Sequence, residues 1–285
     1  MPNIIIIKNL KHLCFQIYME LVNIINLEYR YFKQPILLDV NLKINQHEKI
    51  LLIGPNGAGK STLLRVMSGM HMASNFKEFK ILDKYSPHDQ FDGLAYLGNR
   101  WVRNISFMGP SPYMADIKAR DMSKKLQSNY KERRNQLVEV LEINLDWKMH
   151  KISDGQRKRV QIMLSLLKPF RFVLIDEFLS ELDIVVRDKF FKYLIDECKS
   201  RKGAFIYATH VFDDVETWAT HVCYISGGKC SGKIPIKKFI TDNNLYNSVK
   251  KKIINDPDRS ENTIIFDKKL LGAQGGYGSG RCNNL

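Results

Sequence analysis

The chain has 285 residues, enough for one large domain or two small ones, and its 44 % apolar and 26 % charged residues are those of an ordinary globular protein able to bury a sizeable core. Lys and Arg outnumber Asp and Glu by 44 to 30, a net charge of +14, yet the basic residues are spread along the chain apart from short clusters such as Arg157-Lys158-Arg159 and Lys250-Lys251-Lys252. Direct nucleic-acid binding is therefore not expected, and no membrane insertion is expected either, because no stretch approaches the ~20 apolar residues of a membrane helix.

The first 18 residues read as an extension before a domain that begins at Met19. Their apolar run is broken by Lys8, Lys11 and His12, so it lacks the continuous core and small-residue cleavage site of a secretory signal. Cys14, Cys198, Cys223, Cys230 and Cys282 share no metal-like spacing, which suits structural thiols in a reducing cytosol.

From Val22 onward, short apolar runs alternate with turns, and Val22 to Leu27, Leu37 to Leu42 and Ile50 to Ile53 are expected as strands. The last of these runs into Gly54-Pro55-Asn56-Gly57-Ala58-Gly59-Lys60-Ser61-Thr62, and helical spacing continues to Met70. This fits G-x-x-x-x-G-K-[ST] in its required strand–loop–helix setting, where backbone N–H groups converge on phosphates, Lys60 reaches the β- and γ-phosphates and Ser61 ligates Mg²⁺.

Residues 112–150 read as mostly helical, with helical spacing from Gln136 to Ile143. A further helix is expected from about Asp154 to Leu167, where Pro169 stops it. Its opening, Ser153-Asp154-Gly155-Gln156, has the form of a capping box, and the same geometry makes an anion site of the helix N-terminus.

Phe172 to Ile175 and Ala204 to Ala208 are apolar on both faces, as buried parallel strands are, and a helix from about Val186 to Lys199 separates them. Asp176 and Glu177 then stand at the C-terminal end of a parallel strand, where ligands bind in open α/β sheets. Asp176 would orient Mg²⁺ and Glu177 would polarise an attacking water. His210, just beyond the second buried strand, would reach the γ-phosphate. The fold class is α/β with a mostly parallel core sheet. Past Ile234 the chain turns polar, and 235–285 is a C-terminal extension ending in a Gly-rich tail, Gly272 to Arg281.

In order, the phosphate loop, Ser153 to Gln156, Phe172 to Asp176, Glu177, Leu182-Asp183 and His210 resemble the motifs of an ABC-type ATPase domain over about residues 20–235. The resemblance implies an ATP-binding domain at 19–234 with an antiparallel β subdomain and a helical signature subdomain at about 100–168. It implies Mg-ATP hydrolysis in a head-to-tail homodimer in which Ser153, Gly155 and Gln156 of one chain, with Asp183 nearby, complete the ATP site of the other. It also implies an aromatic stacked on adenine, Tyr31 or alternatively Tyr29.

Three departures accompany the likeness. Asp154 replaces the first signature glycine, and a carboxylate there would compete with the γ-phosphate for the helix dipole. Phe178, Leu179 and Glu181 replace the residues usual after the catalytic glutamate. Asn99 stands where the family has the Q-loop glutamine. Together with Tyr96-Leu97-Gly98 ahead of Trp101, and the Gly-Tyr-Gly-Ser-Gly-Arg tail, these resemble the soluble non-transporter ABC proteins. That group includes the yeast factor associated with the carbon-catabolite-repression/NOT (deadenylase) complex and its plant relatives. The expectation is an ATP-gated switch in a transcription or mRNA-turnover complex, cytoplasmic and also nuclear. The alternative is the nucleotide-binding subunit of a transporter, docking a separate membrane chain through residues 99–113.

Overall fold

The computed structural model describes residues 19–73, 75–86, 92–98, 116–212, 215–241 and 244–259. The N-terminal extension, Asn99, the stretch 99–113 with Trp101, and the Gly-rich tail lie outside the described residues. In chain order the elements are β1 (Glu20–Tyr31), β2 (Gln34–Asn45), β3 (Lys49–Ile53), α1 (Lys60–Met67), β4 (Glu78–Ile81) and β5 (Leu94–Gly98). Then come α2 (Lys124–Asn129), α3 (Lys131–Val140), α4 (Asp154–Leu166), β6 (Phe172–Asp176), α5 (Ile184–Ser200) and β7 (Ala204–Ala208). The chain closes with α6 (Val215–Trp218), β8 (His221–Tyr224), β9 (Lys229–Cys230), β10 (Lys233–Pro235), α7 (Ile236–Phe239) and α8 (Leu245–Ile254).

The six-stranded sheet has the order β10-β8-β3-β7-β6-β5, parallel throughout except for β10, which runs antiparallel to β8. Its apolar strands are covered on both faces, and their period of two sorts their side chains into two cores. Leu51, Ile53, Val173, Ile175, Phe205 and Tyr207 pack against the helices α3, α4 and α5. Ile50, Leu52, Phe172, Leu174 and Ile206 face the other way, toward α1 and the second sheet. That sheet, β4-β1-β2-β9, is antiparallel except for the short parallel pairing of β2 with β9.

β1 extends well beyond the apolar core Val22 to Leu27, because a bulge absorbs its polar middle. Asn26 adopts a left-handed φ of 52°, its N–H donates to Asn41 Oδ1 (3.0 Å), and its amide donates to Asp39 Oδ1 (3.1 Å). Within the expected helical stretch 112–150, the described residues 116–150 are less helical than their spacing predicts. α3 ends at Val140, Glu142 turns left-handed (φ 49°), and the Asn144 side chain accepts from the Asp146 N–H in a local turn (2.8 Å).

One polar clip ties the helices together: buried Arg133 on α3 donates to the Leu166 carbonyl at the end of α4 (2.7 Å) and to Glu197 on α5 (2.6 Å). The C-terminal extension contributes to the same packing, since Ile236, Leu245 and Val249 are buried with the helical core. Among the described residues no helix is long and apolar enough to cross a membrane.

Candidate nucleotide site

The loop 54–62 leaves the end of the central strand β3 and opens α1. Gly54 takes a φ of +156°, and a Cβ there would lie 2.0 Å from the Ile225 carbonyl oxygen, so a side chain is excluded by backbone. Gly59, the N-cap of α1, is left-handed at +102° and offers no side-chain cap. Leu63 is the first residue of the helix to bond back, to the Gly59 carbonyl (2.8 Å). Among the described residues no carbonyl accepts from the N–H groups of Gly59, Lys60, Ser61 or Thr62. These orphaned donors at a helix N-terminus form an anion cradle with the geometry of a phosphate site.

Lys60 is buried, and its Nζ folds over the loop, donating to the carbonyls of Gly54 (2.8 Å) and Pro55 (2.9 Å). Burial lowers its pKa, while the charges of Glu177 and Asp176 oppose that shift. Lys60 is thus a cation stored beside the cradle with two acidic neighbours.

Ser61, the second residue of α1, donates through Oγ to Asp176 Oδ1 at 2.8 Å. Asp176 is the last residue of β6 and is buried. A hydroxyl and a carboxylate brought together beside a phosphate cradle are hard oxygen donors suited to Mg²⁺, which keeps several waters and shares substrate phosphates. The residues present fit that ion.

The other oxygen of Asp176 has a partner that the sequence motifs do not name. Tyr96 on β5 donates through its phenol to Asp176 Oδ2 at 3.1 Å. Burial and the Asp176 charge push the Tyr96 pKa up to about 12, against a lowering by Arg65, so the phenol keeps its proton.

Glu177 stands immediately beyond β6 in a left-handed conformation (φ 52°), its N–H donating to the Ala208 carbonyl at the end of β7 (2.9 Å). This turn aims its carboxylate at His210, whose Nε2 lies 3.0 Å from Glu177 Oε1. Burial lowers the His210 pKa, the Lys60 charge adds to that, and Glu177 opposes it. Near neutral pH the contact is therefore a hydrogen bond from a neutral imidazole to a carboxylate.

The signature segment forms the capping box expected of it: Ser153 Oγ accepts from the Gln156 N–H (3.2 Å), and Gln156 Oε1 accepts from the Ser153 N–H (3.0 Å). Asp154 is exposed but pairs with Arg157 one turn on, so its charge is compensated within α4. Lys158 bonds Glu181 (2.6 Å) and Arg159 bonds Asp183 (2.5 Å). Asp183 also caps α5, accepting from the Val186 N–H (3.0 Å). Among the described residues, no hydrogen bond or ion pair joins Ser153, Gly155, Gln156 or Asp183 to the loop 54–62.

At the end of β1, Tyr31 is half exposed and meets Tyr29 edge-on (6.0 Å), while His71 stacks on Tyr29 (5.4 Å) and meets Tyr31 edge-on (5.6 Å). The structure therefore gathers the phosphate loop, Asp176, Glu177 and His210 in one place, with an aromatic cluster at the end of β1. The residues that sequence reading missed are Tyr96 and His71. A tyrosine two residues before a glycine in an edge strand was the available signal for the former.

The family described as "ABC transporter" matches residues 37–180. "ABC transporter I family member 21" of Arabidopsis thaliana is 39 % identical over 236 residues, 80 % of this chain and 84 % of the plant protein. "CCR4-associated factor 16" of Saccharomyces cerevisiae is 31 % identical over 245 residues, 80 % of this chain and 83 % of the yeast protein. Among solved structures, the ATP-binding subunit of an ABC transporter superposes with a TM-score of 0.68 at 18 % identity, covering 82 % of this chain and 99 % of its own, a likeness of fold.

Proposed function

The chain belongs to the ABC ATPase family, whose members bind ATP with Mg²⁺, and we propose that it acts as an ATP-gated homodimeric switch in a regulatory protein complex. The observation that supports its ATP-binding and hydrolytic part is the convergence of the Ser61–Asp176 pair and the Glu177–His210 pair on one phosphate loop. The loop N–H groups of 54–62 hold the phosphates, with Asn56, Gly57 and Ala58 keeping the loop open and Thr62 extending the donor row. Lys60 exchanges the Gly54 and Pro55 carbonyls for phosphate oxygens. Ser61 and Asp176 would hold Mg²⁺, which would supply neutralisation of phosphate charge.

Glu177 accepts a proton from the attacking water, and His210, neutral at its side, fixes the carboxylate by donating its one N–H to it. Tyr31 stacks on the base, and Asn99, outside the described residues, would stand in for the Q-loop glutamine. The second chain supplies Ser153, Gly155 and Gln156, a reading supported by their separation from the loop within one chain. With its charge compensated by Arg157, Asp154 presents a paired carboxylate to the opposing phosphates.

The yeast relative's name ties it to CCR4. Carried over, that association makes the partner a deadenylase or transcription complex, in the cytoplasm and the nucleus. A second reading, the motor subunit of a transporter with a separate membrane chain, is favoured by the plant relative's name. Affinity capture from native lysate separates the two, with Glu177→Gln in ATP as bait and Lys60→Ala as control. Recovery of deadenylase or transcription-complex subunits with the ATP-locked bait alone supports the switch. Recovery of a multi-span membrane protein overturns it.

A further inference from the structure

β5 is the edge strand of the six-stranded sheet, and its last residue, Gly98, is the register partner of Asp176 on β6. Tyr96, two residues earlier, projects from the same face as Gly98, so its ring can lie along the strand only where the neighbour has no side chain. The geometry uses that freedom. A Cβ built on Gly98 would lie 2.4 Å from Tyr96 Oη and 2.5 Å from two of its ring carbons. The ring therefore covers Gly98, as aromatics do over edge-strand glycines, and its hydroxyl reaches Asp176 Oδ2 at 3.1 Å. From the other side, buried Gln161 on α4 donates to the Gly98 carbonyl (3.2 Å), pinning the strand end under the ring. With Ser61 on Oδ1, both oxygens of Asp176 are held by hydroxyls from two different elements.

We propose that Tyr96, seated over Gly98, is a positioning residue that fixes the Asp176 carboxylate in the orientation Mg²⁺ requires, and so sets the metal affinity of the nucleotide site. The proposal rests on the reading of Ser61 and Asp176 as the metal's protein oxygens. Groups that orient a metal's carboxylate from behind typically contribute about 10-fold or more to metal affinity.

The test uses equilibrium binding of a fluorescent N-methylanthraniloyl ATP to the full chain, titrated with MgCl₂ or held in EDTA. Tyr96→Phe, Gly98→Ala, their double variant and Asp176→Asn are compared with wild type. Tyr96→Phe keeps the ring and removes only the hydroxyl. Gly98→Ala keeps the hydroxyl and displaces the ring. Each single variant is expected to raise the half-saturating Mg²⁺ concentration about 10-fold, with nucleotide affinity in EDTA unchanged within about two-fold. The double variant is expected to be no worse than either single, as for two changes that break one contact.

An unchanged Mg²⁺ requirement in Tyr96→Phe, or an equal loss with and without metal, overturns the proposal, and Tyr96→Phe alone decides if Gly98→Ala does not fold. If Asp176→Asn raises the requirement while Tyr96→Phe does not, the role of Tyr96 falls and the metal site stands. If Asp176→Asn leaves the requirement unchanged, the metal site itself is wrong and the proposal falls with it.

Discussion

Removing Arg133 tests how the helices of one layer are held to each other. Its guanidinium is nearly buried and donates to the Leu166 carbonyl and to Glu197. It also lies over the Phe170 ring at 5.1 Å and the Tyr193 ring at 5.9 Å. Burial raises the Glu197 pKa, but hydrogen bonds from Arg201 and Arg133 outweigh it and hold the carboxyl below its ordinary value. Arg133→Ala strands a carboxylate with only the half-exposed Arg201 and orphans the last carbonyl turn of α4. Breaking a buried ion pair from one side costs about 3–5 kcal/mol, and retention of Arg201 returns about 1 kcal/mol of that, leaving about 2–4 kcal/mol. The guanidinium is imperfectly served even now, since its Nη2 has no hydrogen-bond partner among the described residues. Replacing both charged partners, Arg133→Met with Glu197→Leu, removes the stranded carboxylate and leaves only the orphaned Leu166 carbonyl, so it is expected to lose about 1 kcal/mol, less than the single variant. Urea unfolding followed by circular dichroism gives both values from the midpoint at constant slope. A single variant losing less than about 1 kcal/mol, or a double variant as unstable as the single, would refute the assignment of this clip as a desolvated pair whose cost lies in being half broken.

Other expectations are more local. Lys60→Ala should weaken ATP binding about 10- to 150-fold, the worth of one or two charge-assisted hydrogen bonds, as measured by calorimetry. Ser153→Ala removes one half of the capping box on α4 and should cost about 1 kcal/mol by thermal or urea unfolding. His210 binds its proton less readily folded than unfolded. As pH falls through the ordinary histidine range the unfolded chain takes up that proton first, so this group removes stability from acid solutions and none above that range. Urea midpoints of wild type should therefore fall relative to His210→Gln between pH 8 and about pH 5.5, and a relative rise would refute the assignment.

The sequence exposes what is locally encoded. Strand β3, the loop and α1 are legible because glycine, lysine and serine fall where backbone conformation and phosphate chemistry demand them. The burial of β6 and β7 is legible from unbroken apolar runs, which also place Asp176 and Glu177 at a strand end. What depends on pairing between distant residues is not legible. The hydroxyl of Tyr96 meets Asp176 only because β5 and β6 lie side by side in one register, 80 residues apart in sequence. Helical spacing overran the true end of α3, since nothing in the pattern marks Glu142 as the residue that turns left-handed. The polar C-terminal stretch concealed α8, whose buried face is only Leu245, Ser248 and Val249. The ion pair between Asp154 and Arg157, one turn along the same helix, was likewise not read from the sequence.

The most direct measurement of the switch is the assembly state of Glu177→Gln at micromolar concentration in analytical ultracentrifugation, with saturating Mg-ATP and again with ADP. A dimer in ATP that returns to monomer in ADP is the result this account predicts. A chain that stays monomeric in saturating Mg-ATP would contradict it.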